Sequence, residues 1–188
     1  MIKKIFSLLA RNIRIPLRYV KKFFLSVINY FSKPKKILNK NHLNLLVISP
    51  GGVATTTLIK YLKLYKKVND VNDSDGFKHL SKYPIIEKKN LKIIYIYGSH
   101  EKIYNSLKRR KIFHTQLVKL GCPLCYLFWG SIEKFFFKLC VNRQINNFKN
   151  KKNAYVLYFD NIWDKKNELK KYLKIDSDKF VKNFPSKN

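Results

Sequence analysis

Leu45-Leu46-Val47-Ile48-Ser49-Pro50-Gly51-Gly52-Val53-Ala54-Thr55-Thr56-Thr57-Leu58-Ile59-Lys60-Tyr61-Leu62 changes period part-way along. The opening apolar run, Leu45 to Ile48, has the length of a buried strand. Pro50, Gly51 and Gly52 break it. From Thr55 the apolar residues Leu58, Ile59 and Leu62 fall at helical spacing. Strand, glycine-bearing turn and helix are the layout of a phosphate-binding loop. Backbone N–H groups converge there on an anion, and the helix N-terminus adds roughly half a positive charge. Thr56 and Thr57 bring hydroxyls to the first helical turn. The triphosphatase form G-x-x-x-x-G-K-[ST] is absent, and no lysine stands at the helix start, which argues against a standard ATPase or GTPase.

Outward from this stretch, further segments alternate between strand and helix. Leu91 to Tyr97 reads as a second buried strand, and Ala154 to Phe159 as a third. Lys66 to Asp75 reads as a loop with a short strand near Val68–Val71. Ser99 is placed to cap a helix over 100–110, and Ser131 one over 132–148. Residues 111–130 read as irregular, with Gly121, Pro123 and Gly130 as breakers. Asp160 is placed to cap a charged helix that runs to about Tyr172. The alternation predicts an α/β fold, a P-loop NTPase-like parallel sheet flanked by helices. In such sheets ligands bind beyond the carboxyl ends of the strands. The loops after Ser49, Tyr97 and Phe159 then share one edge.

The chain divides into residues 1–40, a basic amphipathic N-terminal helical segment with a linker, and an α/β domain over 43–188. Residues 1–40 hold 11 Lys+Arg and no acid, with Ile5, Leu8, Leu9, Ile13, Leu17 and Val20 between them. The longest uncharged run, Phe23 to Ser32, is about half what a bilayer span needs. The segment reads as a helix lying on an anionic membrane surface, or as one packed on the domain. The location expected is cytoplasmic, peripheral at the inner membrane face.

The formal charge of +29, from 40 Lys+Arg against 11 Asp+Glu, points to an anionic partner. Lys, Asn, Ile, Tyr and Phe are abundant together, which an AT-rich coding sequence also yields. A nucleic-acid partner is disfavoured: the aromatics fall at core spacings, and no helix-turn-helix or zinc-finger spacing occurs. Three cysteines are too few for a disulfide framework. Cys122 and Cys125 have CxxC spacing. With only Cys140 and His114 nearby at irregular spacing, they read as buried thiols, and no metal site is expected.

Together these stretches resemble the sulfotransferase family, whose fold is P-loop-like and whose sulfuryl donor is 3'-phosphoadenosine 5'-phosphosulfate (PAPS). Gly52 to Leu58 is similar to the family's 5'-phosphosulfate loop. Lys78-His79-Leu80, ahead of Pro84, resembles the region that holds the catalytic base. Lys92 to Gly98 with Ser106, Arg109 and Arg110 resembles the strand and helix that bind the 3'-phosphate. Tyr155 to Ile162 resembles a late strand end of the family. The order agrees over residues 45–175. Val53 and Gly98 stand where the family has basic residues, and Thr55 where it has a loop glycine; Lys60, Arg109 and Arg110 are the nearest substitute cations.

The resemblance implies sulfuryl transfer from PAPS, a nucleotide co-substrate, to a hydroxyl of a glycan or lipid-linked acceptor. It assigns Gly51, Gly52, Val53, Ala54, Thr55, Thr56, Thr57 and Ser106 to the co-substrate, His79 to the role of general base, and Lys78 to charge on the bridging oxygen. Two other readings stand beside it. One is a non-catalytic nucleotide- or partner-binding member of the same fold, which Val53 and Gly98 support. The other is a basic nucleic-acid-binding protein.

Overall fold

A computed structural model describes residues 19–37, 42–53, 55–87 and 90–186. Along the chain run α1 (Val20–Phe31), β1 (Lys36–Ile37), β2 (Leu45–Ile48), α2 (Thr55–Leu62), β3 (Ile85–Ile86), β4 (Lys92–Tyr97), α3 (His100–Arg109), α4 (Phe113–Leu120), α5 (Gly130–Phe148), β5 (Ala154–Tyr158), α6 (Lys166–Leu173) and α7 (Lys179–Lys182). Short 3-10 turns lie at Pro123–Tyr126 and Phe159–Asn161.

The fold is α/β, with small parallel sheets flanked by helices. β4 is the central strand of a sheet ordered β2-β4-β5. Leu45 pairs with Lys92 and Ile48 with Tyr95 on one side, and Ile93 pairs with Ala154 and Tyr97 with Tyr158 on the other. All of these pairings are parallel, so the three carboxyl ends lie on one edge. β1 and β3 form a separate parallel pair, Lys36 opposite Ile85.

Side-chain alternation sorts β2 and β4 into two cores. Leu45, Val47, Ile94 and Ile96 meet Leu58, Ile59 and Leu62 of α2 and Leu169, Leu173 and Phe180 from the C-terminal helices. Leu46, Ile48, Ile93 and Tyr95 meet Ile37, Phe77 and Phe148 on the other face. Burial on both faces is why β2 and the centre of β4 read as unbroken apolar runs. A third core joins α3, α4 and α5 through Ile103, Leu107, Phe113, Leu117, Phe137 and Val141, and takes in the buried Cys122 and Cys125, with Cys140 half-buried beside them.

Several local expectations change. Residues 68–71 are not a strand; Val68 makes one isolated bridge to Leu45. The fully buried Asn69 takes over the strand's role, because its amide accepts from Val47 N at 2.8 Å and donates to Val47 O at 3.1 Å. Residues 113–120 are a helix inside the stretch read as irregular. Ser131 caps nothing: α5 starts at Gly130, and its first turn is fixed by Glu133, buried and paired with Lys108 of α3 at 2.6 Å. Asp160 sits in a 3-10 turn and pairs with Lys102 at 3.2 Å, well before α6 begins. Ser99 does cap α3, accepting from Lys102 N.

The described part of the N-terminal segment packs on the body. Ser26 Oγ donates to Leu117 O at 3.1 Å and Asn29 Nδ2 to Val118 O at 2.8 Å. Gly121 ends α4 where a Cβ would come within 2.8 Å of Tyr30 N, so the absent side chain is what lets the two backbones meet. The part of the expected N-terminal helical segment before Tyr19 lies outside the described residues. Among the described residues no helix is long and apolar enough to cross a membrane.

Candidate functional site

The turn after β2 depends on two glycines. Gly51 and Gly52 take φ of +89° and +74°, a left-handed conformation that residues with a Cβ rarely adopt. Gly51 N donates to Ser49 Oγ at 3.2 Å, and Ser49 N donates to Lys78 O at 3.0 Å. The segment holding Lys78 and His79 is therefore pinned to the end of β2. At Gly52 a Cβ would lie 3.0 Å from Ile103 O, so α3 closes directly on the turn.

The threonines divide by role. Thr55 is buried and its hydroxyl donates to Val53 O at 3.2 Å, which spends it inside the loop. Thr56 accepts from Lys78 Nζ at 3.0 Å. Thr57 is exposed and does not line the cavity that the others share. Ala54 lies outside the described residues.

Lys78 is buried, and its ammonium donates to Thr56 Oγ1 and to Val71 O at 2.7 Å. An ammonium has three protons, so one remains for a ligand. Burial lowers its pKa, and the Asp73 carboxylate works the other way. Asp73 also accepts from Lys78 N at 2.8 Å and pairs with Lys119. His79 Nδ1 lies 2.9 Å from Ser49 O. A carbonyl only accepts, so the proton is on Nδ1, and Nε2 carries a lone pair with no protein partner among the described residues. Burial pulls the His79 pKa down to about 4, against the bond to Ser49, so the ring is neutral at pH 7.

α3 and α4 supply the opposite wall. Ser106, Arg109, Arg110 and Gln116 face the turn across a cavity of about 360 Å³ that Gly51, Gly52, Val53, Thr55, Thr56, Lys78 and His79 also line. Gln116 is 4% exposed, and its Nε2 is buried with no hydrogen-bond partner among the described residues. That nitrogen is 3.2 Å from where a Cβ on Gly51 would stand. A buried donor left unpaired costs about 1–3 kcal/mol, which a bound acceptor would relieve. Gln116 was not among the residues expected from sequence. Its signal was the helical spacing of Phe113, Leu117 and Leu120, with Gln116 on the same face.

His79 lines a second cavity as well, of about 330 Å³, with Asn29, Ser32, Lys35, Asp73 and Lys119 among its walls. His79 therefore borders both chambers. A larger cavity, about 560 Å³, opens near Leu45 and Lys92 at the amino end of the sheet, away from the turn.

A paired glycine turn, a buried lysine with a spare proton, two arginines and an unsatisfied amide around one cavity are groups that can receive an oxyanion. Among the described residues no group of three or more His, Cys, Asp or Glu side chains is arranged to hold a metal ion. No protein-family model, curated protein or solved structure matches the chain.

Proposed function

We propose that the chain is a sulfotransferase-like enzyme of P-loop-like fold, transferring a sulfuryl group from PAPS to a hydroxyl of a glycan or lipid-linked acceptor. The observation that carries this reading is convergence. The segments around Gly51–Gly52, Thr56, Lys78–His79 and Ser106–Arg110 are separate in sequence and line one cavity. Its volume lies in the ~300–1,000 Å³ range of small-molecule sites.

In this reading the phosphosulfate lies over the Gly51–Gly52 turn. Thr56 and the third proton of Lys78 meet the bridging oxygen, and Ser106, Arg109 and Arg110 meet the 3'-phosphate. The acceptor hydroxyl enters from the second chamber. His79 Nε2 takes its proton as the acceptor oxygen bonds to sulfur and the bond from sulfur to the bridging oxygen breaks, releasing 3'-phosphoadenosine 5'-phosphate. The anionic co-substrate raises the His79 pKa from its depressed value, bringing the base closer to working pH. Asn29 and Ser32, at the end of α1, line the second chamber. This suits an acceptor presented at a membrane surface.

A second reading, a nucleotide-binding member without turnover, is favoured by one contact. Val53 packs against Gly98, the two positions where the resembled family has cations. One experiment separates the readings. Calorimetry with 3'-phosphoadenosine 5'-phosphate is followed by a sulfate-transfer assay with PAPS and a set of glycan and lipid-linked acceptors. Binding with transfer that His79→Ala abolishes is the result expected. Binding without transfer supports the second reading, and no binding overturns both.

A further inference from the structure

Helix α1 docks through a mixed face and leaves an apolar stripe outward. Its polar residues Ser26 and Asn29 face the body and bond the carbonyls of Leu117 and Val118. Phe23 packs on the α3–α4–α5 core, but three of the helix's large apolar residues face away: Phe24, Ile28 and Phe31 are 58%, 62% and 76% exposed. They fall at i, i+4 and i+7, so they form one stripe. α5 presents a second stripe, Ile132, Phe135 and Leu139, also exposed. Between the helices runs an apolar groove of about 380 Å³, lined by Val27, Phe31, Leu124, Phe136 and Leu139 among others. Isolated exposed apolar residues are ordinary, but two adjoining stripes with a groove between them form a patch of the kind that marks an interaction surface.

The charge around the patch says what covers it. Residues 1–40 contain no acid. Glu133, the one acid of α5, is buried against Lys108. Lys21 and Lys138 are exposed on the two helices, and Arg143 lies at the groove with its guanidinium 4.4 Å from the Tyr30 ring centre. An apolar patch flanked by cations, with no exposed acid on either helix, fits an interface with hydrocarbon below and anionic headgroups at its edge.

We infer that the α1–α5 face docks on an anionic lipid bilayer, with Phe24, Ile28 and Phe31 inserted and the lysines at the headgroups. This rests on the packing of α1 and not on the chemistry of the cavity. It assigns the contact to a two-helix surface rather than to the N-terminal segment alone.

The test is flotation of the full-length chain with vesicles of phosphatidylglycerol in phosphatidylcholine, and with phosphatidylcholine alone. Ile28→Ser combined with Phe31→Ser changes no charge. Leu64→Ser alters an equally exposed side chain elsewhere on the surface, and thermal unfolding checks that both variants fold. The expected result is binding to the anionic vesicles that weakens with salt, falls tenfold or more in the double variant and is unchanged in Leu64→Ser. Flotation of the double variant equal to the parent would overturn the proposal. So would equal binding to phosphatidylcholine alone, or a dimer that the double variant disrupts in a chain that binds no vesicles.

Discussion

A Cβ built on Gly98 would lie 3.1 Å from Cγ1 of Val53. The end of β4 and the turn after β2 are thus fitted to each other, with an apolar methyl filling the place that a longer side chain at 98 would need. Gly98→Arg is expected to destabilise the fold by about 1–3 kcal/mol, as overpacking does. Val53→Ala in the same chain should recover at least ~0.5 kcal/mol of that beyond additivity. Urea unfolding of the four proteins of the cycle measures it, and strict additivity would show that the contact carries no energy.

His79 gives stability a defined pH dependence. Its pKa is about 4 in the folded chain, against an ordinary value of 6.5. Between those limits the unfolded chain binds a proton that the folded chain refuses. The contribution is therefore complete above pH 6.5 and is lost as pH falls toward 4, by up to about 3 kcal/mol. His79→Asn keeps an N–H for Ser49 O but does not titrate. Its urea midpoint should fall less steeply than the parent's over that window; matching slopes would place the effect elsewhere.

Gln116 separates binding from folding. Leucine fills nearly the same volume without a buried donor. Gln116→Leu should leave the free protein as stable as the parent or up to ~1 kcal/mol more so, because the unpaired Nε2 is removed. The same change should weaken 3'-phosphoadenosine 5'-phosphate binding by about tenfold, roughly one hydrogen bond to a charged group. Thermal unfolding and calorimetry on one preparation give both numbers. A large loss of stability would mean that Gln116 is only a packing residue.

The neighbouring threonines should behave differently. Thr56 bonds Lys78 and lines the cavity, whereas Thr57 lies outside it. Thr56→Ala is expected to reduce nucleotide affinity about tenfold, and Thr57→Ala to leave it unchanged. Equal losses in calorimetry would put the anion nearer the axis of α2 than the cavity indicates.

The three strands of the main sheet and the turn were legible in the chain itself. A strand buried on both faces has to be apolar throughout, so Leu45–Ile48 and Ile93–Ile96 announce themselves. A turn needing left-handed φ twice running has to carry residues such as Gly51 and Gly52. The segments around His79, in a loop, and Ser106, within α3, were also readable as pieces, because residue types are local features. What the tertiary structure alone decided is which of those pieces meet. Parallel pairing of β2 with β4 sets α3 across the turn, and the bond from Ser49 N to Lys78 O swings Lys78 and His79 into the same cavity. Asn69 is a polar residue in a loop by pattern, and only its clamp on Val47 gives it a role. Gln116 and the outward face of α1 were hidden for one reason. Amphipathic patterns say that a helix has two faces but not which one a neighbour covers, and here Ser26 and Asn29 are covered while Phe24, Ile28 and Phe31 are not.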